Sequence, residues 1–588
     1  MSLPTRVLYV DLTKKVFHVE DRRDLFENYI GGVGVASKLL LEECPKGADP
    51  LGPENPIIFA IGPLTGLFPL ASKTVAMFKS PLTGNLGESH AGGRSAVSIR
   101  MAGYGAIVIK GASEHPVYLS IYNDKVYFRD ALALWGVRSS FTIGRVLREL
   151  EPYPGFRTIM RIGRAGENLV RYASVITETY RHFGRLGLGA VFGSKKLKAV
   201  VISGSSTIKV NDMKRYREVY DNIYNLSVKS PIMKKYHDLG TPANVNPLNL
   251  MKALPTMNLS QAYFEKAEEI SGEALAEKYL GRRVACGHCP TACIHIAALR
   301  EPYEDEPYFY KTTMISYDYE LIYSLGSMLG IGTPEGLLKL IDEVEIQGLD
   351  AISTGVVLAW ATEMLQRGLI SEKETNNLKL QWGDYSTYIK AVRFIVNQPN
   401  DFYKALARGV EYASSIYGGK DFALAFGSNE MAGYHTGPLF YGTLLTGARH
   451  SHLDSAGYSF DEKNVKSHLT PTPEDGASMI LNEEIWRQIL TSLVICLFAR
   501  GIYDEKIVKD ALSIVGLNMD GATLKQKGLE ILRMKYEFKL REGFDPKNLR
   551  IPKRITETET PLGKIDEEYL KSLINNYFSK LQLTSLPP

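Results

Sequence analysis

Cysteine is scarce in this 588-residue chain, with five residues, three of them crowded between positions 286 and 293. Thiols distributed that way exclude a disulfide framework and suit a reducing interior. An excess of one charge is missing as well. The formal net charge is +4, too little for a nucleic-acid binder that works through phosphate contacts. There is no apolar run of membrane-spanning length, and Leu493 to Ala499 is far too short to cross a bilayer. The opening Met1-Ser2-Leu3-Pro4-Thr5-Arg6-Val7 lacks the apolar stretch of a signal peptide. A cytoplasmic protein with no membrane span and no nucleic-acid partner is expected. Short-period repeats and low-complexity segments are also absent. The length exceeds what one core supports, so two to four domains are expected.

What is present is concentrated in Cys286-Gly287-His288-Cys289-Pro290-Thr291-Ala292-Cys293, a C-x2-C-x3-C pattern. Thiolates at this density hold a soft centre, either zinc or an iron–sulfur cluster. A cubane needs a fourth ligand from elsewhere, and Cys496 is the candidate because it stands out in a strongly apolar segment. In the zinc alternative His288 completes the set. Pro290 directly after Cys289, and the lack of a second C-x-x-C pair, favour the cluster.

Residues 6–20 alternate as a hairpin. Tyr29-Ile30-Gly31-Gly32-Val33-Gly34 opens a helical stretch from Ala36 to Glu43, but no Lys-Ser or Lys-Thr follows. Close backbone packing is therefore expected there, not a nucleotide loop. From Pro56 to about Ile208 the pattern is strand-rich, with strands at 57–61, 74–78, 106–109, 117–121 and 199–202. Glycine-bearing loops at 80–84, 88–94 and 184–190 suit a phosphate-bearing or heterocyclic ligand. Helical periodicity dominates from Asp212 onward, at 213–226, 274–280, 335–347, 355–366, 384–396 and 567–581. A long helix over Leu481–Ala499 is predicted to carry Cys496 near its C-terminal end. Glu320 follows an aromatic stretch, and His450 and His452 share one loop. A carrier of a single cluster does not need nearly 600 residues, so a second cofactor or a substrate chamber is expected.

These features, taken with Gly62-Pro63-Leu64-Thr65-Gly66, Lys79-Ser80-Pro81-Leu82-Thr83-Gly84, Gly166-Glu167-Asn168-Leu169-Val170-Arg171, Gly187 to Lys195 and Gly348 to Gly355, resemble the tungsten-dependent aldehyde:ferredoxin oxidoreductases. The resemblance implies an α+β multidomain fold. A β-rich two-sheet base occupies residues 1–209. Two mainly helical domains follow, 210–418 with the clustered cysteines and 419–588 with Cys496. It implies tungsten held by two pyranopterins, a [4Fe–4S] cluster on Cys286, Cys289, Cys293 and Cys496, and Mg²⁺ bridging the pterin phosphates. Phosphate and Mg²⁺ contacts map to Lys73, His90, Gly92, Gly93, Arg185, Leu186 and Gly187. The two pterin-binding segments map to Glu345-Ile346-Gln347-Gly348-Leu349-Asp350 and Thr491-Ser492-Leu493-Val494-Ile495-Cys496. Glu320 and His452 match the acid–base pair, with His450 second. The implied partners are a small aldehyde and a ferredoxin or dedicated ferredoxin-like subunit, in a chain that could be oligomeric.

Departures mark a divergent subgroup. Thr491 and Val494 stand where Asp and Gly are usual, Glu345 replaces Asp, and Lys73 and His90 replace Arg and Asn. Lysine cannot form arginine's bidentate fork. No E-x-x-H pair lies near Glu320, so a subunit-bridging iron has no site. Two other readings stay open, an aryl-CoA-reductase-like catalytic subunit and a non-catalytic iron–sulfur electron-transfer subunit.

Overall fold

A computed structural model describes residues 3–177, 180–306 and 308–582. Its first two hundred residues form two six-stranded sheets. The first contains β1 (Arg6–Asp11), β2 (Val16–Asp21), β3 (Ile57–Ala60), β4 (Thr74–Lys79), β5 (Leu86–Ala91) and β6 (Ala106–Lys110) in the order β2-β1-β6-β3-β4-β5. The second contains β7 (Val117–Tyr122), β8 (Lys125–Asp130), β9 (Phe156–Arg161), β10 (Val175–Ile176), β11 (His182–Phe183) and β12 (Leu197–Gly204) in the order β11-β10-β9-β12-β7-β8. Among the described residues only β1–β6 and β7–β12 pair in parallel.

Strand β4 shows why these segments read as unbroken apolar runs. Ala76 and Phe78 enter the core between the sheets with Leu119 and Ile202. Val75 and Met77 point the other way, onto Leu39 and Leu40 of the helix Gly32–Glu43 and Ile531 and Leu532 of the helix Gly521–Arg541. A strand covered on both faces has no solvent side on which to place polar residues. The stretch 88–94, expected as a loop, belongs largely to β5, the edge strand of the first sheet.

The remainder is mainly helical, built on one large apolar cluster. The helix Ala351–Gln366 is buried on almost every side, and Trp360 is fully enclosed. Two expectations fail here. A three-stranded antiparallel sheet, β13 (Leu280–Val284), β14 (Ile294–Pro302) and β15 (Tyr310–Tyr317), interrupts the helical region. Its outer strands are exposed and rich in Arg, Lys and Thr, so apolar periodicity does not reveal them. The long helix also runs Pro473–Ser492 and ends before Cys496. Val494 has φ of 53°, a left-handed backbone that stops the helix, although the side chains beyond it remain apolar.

Among the described residues no helix is long and apolar enough to cross a membrane.

Candidate active site and cofactor beds

The cysteine-bearing loop is the connection between β13 and β14, and three chain segments hold it. Gly287 N–H donates to Gly93 O (2.7 Å), Leu70 N–H donates to His288 O (3.0 Å), and Cys496 N–H donates to Leu70 O (2.9 Å). Leu70 therefore bridges the clustered cysteines to the distant Cys496. Lys73 N–H donates to Val494 O (3.2 Å), which fixes the same junction from the other side. Gly92 makes room: a Cβ there would lie 2.8 Å from Cys286 Sγ and 3.3 Å from Lys73 Nζ.

The glycine-rich turn near residue 31 serves this junction too. A Cβ on Gly32 would lie 2.3 Å from Thr491 O, and one on Gly62 would lie 2.6 Å from the Leu493 carbonyl. Close backbone approach explains these glycines.

The electrostatics of the junction follow from four half-buried thiols near two cations. Burial, then the charge of the neighbouring cysteines, pushes the Cys289 thiol up to about 12. Burial also raises Cys293 to about 11, against the pull of Arg181. Burial opposes the charge on Lys73, yet the facing Cys496, Cys286 and Cys293 hold its ammonium above its usual range. Arg181 behaves likewise, with Nη2 4.0 Å from Cys293 Sγ and Nη1 3.7 Å from Asp318 Oδ2. Cys44 stands apart, buried beside Pro45. Among the described residues no three His, Cys, Asp or Glu side chains converge on a point fit for one metal ion. Cys289 and Cys293 each feel the charge of Cys286 and of Cys496.

The second bed lies along residues 172–187 and 345–350. Gly348 ends the helix Pro334–Gln347 in a left-handed conformation, φ 77°, and Asp350 caps the next helix by accepting from Ile352 N–H (3.0 Å). Arg185 Nε donates to Asp350 Oδ2 (3.1 Å) and its Nη2 donates to Glu430 O (2.7 Å). Glu345 pairs with His182 (2.9 Å). The Leu186 carbonyl accepts from Ser80 Oγ (2.8 Å), and Leu186 and Gly187 both have positive φ. His90 sits against Glu88 (2.8 Å), which also meets Lys535 at 2.6 Å. Burial lowers His90 to about 4, so it is a neutral imidazole.

The Thr491–Cys496 segment repeats the Glu345–Asp350 turn with different chemistry. Val494 takes the left-handed position that Gly348 occupies in the first segment. Thr491 Oγ1 donates back to Arg487 O (2.6 Å), so it offers no carboxylate. Ile495 N–H closes on Leu490 O (2.9 Å) and its side chain is buried.

The acid–base candidates meet as a buried triad. His452 Nε2 lies 3.3 Å from Glu320 Oε1, and Tyr434 O–H donates to the same oxygen at 2.8 Å. Burial alone would raise the Glu320 carboxyl, but the bonds from His452 and Tyr434 hold it below its usual value. Asp318, two residues earlier, is pushed up to about 6 by burial and then by the Glu320 charge. His450 is not brought to this pair. Its Nδ1 meets Leu444 O (2.9 Å) and its Nε2 meets Lys539 Nζ (2.9 Å), so both ring nitrogens are engaged.

Sequence reasoning passed over Arg181, Asp318, Tyr434, His182 and Glu430. Asp318 had a signal, an acid just before a helix start. For the others the partners are remote in sequence and nothing local marks them.

The buried polar atoms that lack a hydrogen-bond partner among the described residues include Arg185 Nη1, Arg181 Nε and His452 Nδ1. Buried polar groups left open in this way call for a polar ligand. With the thiol set and the Gly92 cradle, the residues fit a large anionic cofactor beside a thiolate-held centre. A two-sheet base carrying such beds, closed over by helices, is the build of a cofactor-binding protein.

Comparison with known proteins agrees. The description "Aldehyde ferredoxin oxidoreductase, N-terminal domain" matches residues 7–204, and "Aldehyde ferredoxin oxidoreductase, domains 2 & 3" matches residues 218–585. The chain belongs to the aldehyde ferredoxin oxidoreductase family. It is 32% identical to the tungsten-containing aldehyde ferredoxin oxidoreductase of Thermococcus kodakarensis, over 97% of this chain and 95% of that one. It is also 32% identical to the WOR-like subunit of an aliphatic sulfonate oxidoreductase from Pyrococcus furiosus, over 70% of this chain and 66% of that one. Among solved structures, the active site complex BamBC of benzoyl coenzyme A reductase with 1,5-dienoyl-CoA superimposes with a TM-score of 0.84. Identity is 22%, with 99% of this chain and 94% of that one covered. That likeness speaks for the fold. Family membership makes the chain an oxidoreductase and implies a tungsten–pterin cofactor.

Proposed function

We propose that the chain oxidises an aldehyde to its carboxylic acid and passes two electrons, one at a time, to a ferredoxin. The observation that carries this reading is the Glu320–His452–Tyr434 triad, linked to the cysteine loop through Asp318, Arg181 and Cys293. Cys286, Cys289, Cys293 and Cys496 would hold a [4Fe–4S] cluster, with Leu70 bonding both the cysteine loop and Cys496. Lys73, Arg185 and the backbone around Gly92, Gly93, Leu186 and Gly187 would hold the pterin phosphates. The Glu345–Asp350 and Thr491–Ile495 turns would flank the pterins, with Mg²⁺ between the phosphates near His90. Bound there, the pterin-held metal supplies a Lewis acid and a two-electron sink.

The protein's own residues handle the protons. Glu320, held ionised, accepts a proton from the attacking water. Because Nε2 of His452 faces Glu320, Nδ1 is the nitrogen left for the carbonyl oxygen or its proton. Tyr434 keeps Glu320 in place. The balance is one aldehyde and one water giving one acid, two protons and two electrons.

The triad also speaks against a carrier without catalysis, which has no need of a buried acid–base pair. The test is anaerobic purification with metal quantification, then a viologen-linked panel of aldehydes, an aliphatic sulfonate and an aryl-CoA. About one tungsten and about four irons per chain, with turnover on aldehydes, is expected. Turnover on the sulfonate or the aryl-CoA alone would replace the aldehyde reading. Zinc without iron would sink the cluster.

A further inference from the structure

Among the described residues, the ring of His452 is bonded through one nitrogen. Nε2 meets Glu320 at 3.3 Å, Nδ1 has no partner, and the ring centroid lies 5.3 Å from that of Tyr434. A histidine tied down at its second nitrogen has its aim set by that bond. Here the aim comes from the backbone that carries the ring. That backbone is the turn over residues 447–454, which reverses at His450, where φ is 54°.

One buried carboxylate closes the turn. Asp454 Oδ2 accepts from Arg449 N–H (3.0 Å) and Ser451 N–H (2.9 Å), and Oδ1 accepts from Arg449 Nε (2.6 Å). The Asp454 N–H donates to Ser451 O (3.0 Å). The fit is close, since a Cβ on Gly447 would lie 2.4 Å from Oδ2. Arg449 ties the turn to the base. Its Nη1 lies 3.6 Å from Oε1 of Glu88 on β5, which also meets Lys535 of the helix Gly521–Arg541 at 2.6 Å. Desolvation offsets most of the attraction in buried ion pairs. What the converging donors supply at Asp454 is a fixed geometry. We propose that Asp454 is the positioning residue for His452. Together with Arg449 it locks the turn so that Nε2 stays on Glu320 and Nδ1 stays open to the substrate oxygen. This rests on the acid–base roles of the preceding section and adds the group that holds them in register.

The test is a double-mutant cycle in the anaerobically purified holoenzyme, with Asp454→Asn and His452→Asn made alone and together. An amide cannot replace this carboxylate, because its NH2 would face N–H donors. At wild-type tungsten and iron contents, Asp454→Asn is expected to lower kcat for an aldehyde about ten-fold or more, with KM within about two-fold. In the His452→Asn background the same change should cost less than about two-fold, since no imidazole is left to aim. Equal losses in both backgrounds would overturn the proposal, as would a wild-type kcat. A crystal structure of Asp454→Asn gives a readout independent of turnover. His452 Nε2 should leave hydrogen-bond distance of Glu320, and an unmoved ring would overturn the assignment. A wild type that oxidises no aldehyde would defeat the proposed reaction instead, and the crystal structure would still decide the positioning. Arg449→Lys, which keeps the charge and loses the fork, replaces Asp454→Asn in both measurements if that variant does not fold. Failure of both variants to fold would make the turn a determinant of the fold and overturn the positioning role.

Discussion

At the scale of single residues, Glu320 Oε1 takes hydrogen bonds from both Tyr434 and His452, which leaves its second oxygen to meet water. Glu320→Gln removes the base and His452→Asn removes the proton carrier. Each is expected to lower turnover by about 10²–10⁴-fold while tungsten and iron contents stay at wild-type levels. Steady-state kinetics with metal analysis on the same preparations checks this, and near-normal rates in both variants would contradict the roles. His90 gives a second prediction. Its folded value of about 4 lies below the ordinary histidine value of 6.5 because burial disfavours the cation. As pH falls through that window the unfolded chain takes up a proton that the folded chain refuses, so stability falls. The full loss is on the order of 3 kcal/mol. The melting temperature of wild type should therefore drop more steeply between pH 6.5 and 4.5 than that of His90→Gln. Parallel curves would show that His90 is not held neutral.

At the scale of elements, two helix ends shape the proposed pterin beds, and they differ in what their backbones demand. Gly348 has φ of 77°, and a Cβ there would sit 2.9 Å from Gly163 N. Gly348→Ala should lower stability by about 1–2 kcal/mol through left-handed strain and this contact; chemical denaturation measures it, and an unchanged midpoint would contradict the tight turn. Val494 holds the matching position with a branched side chain that is buried, so packing there compensates for strain. This pair also shows what the sequence could reveal. Strands such as Ile57–Ala60 and β4 were readable because runs buried on both faces are apolar throughout. The end of the helix Pro473–Ser492 was not, since valine carries no signal for a left-handed backbone and the residues after it remain apolar. Strands β13 and β15 escaped because their exposed Arg, Lys and Thr side chains break the period-2 pattern. The cysteines were visible by spacing and Glu320 and His452 by family resemblance. Arg181 and Tyr434 were not, because their contacts with the proposed site reach across more than a hundred residues.

At the scale of the whole molecule, the base, the cysteine loop and the C-terminal region are joined through Leu70. Leu70 of the base takes a bond from Cys496 of the C-terminal region and gives one to His288 of the cysteine loop. A cubane ligated from both sides of that junction would tie the three parts together, and its loss should loosen all of them. Reduced wild-type protein, prepared anaerobically, is predicted to show the paramagnetic signal of a [4Fe–4S] cluster with about four irons per chain. Cys496→Ala should lose that signal, or shift it to a three-iron form, with matching loss of iron, while Cys44→Ala keeps both. A Cys496→Ala protein with the wild-type signal and full iron content would contradict the assignment of Cys496 as the fourth ligand.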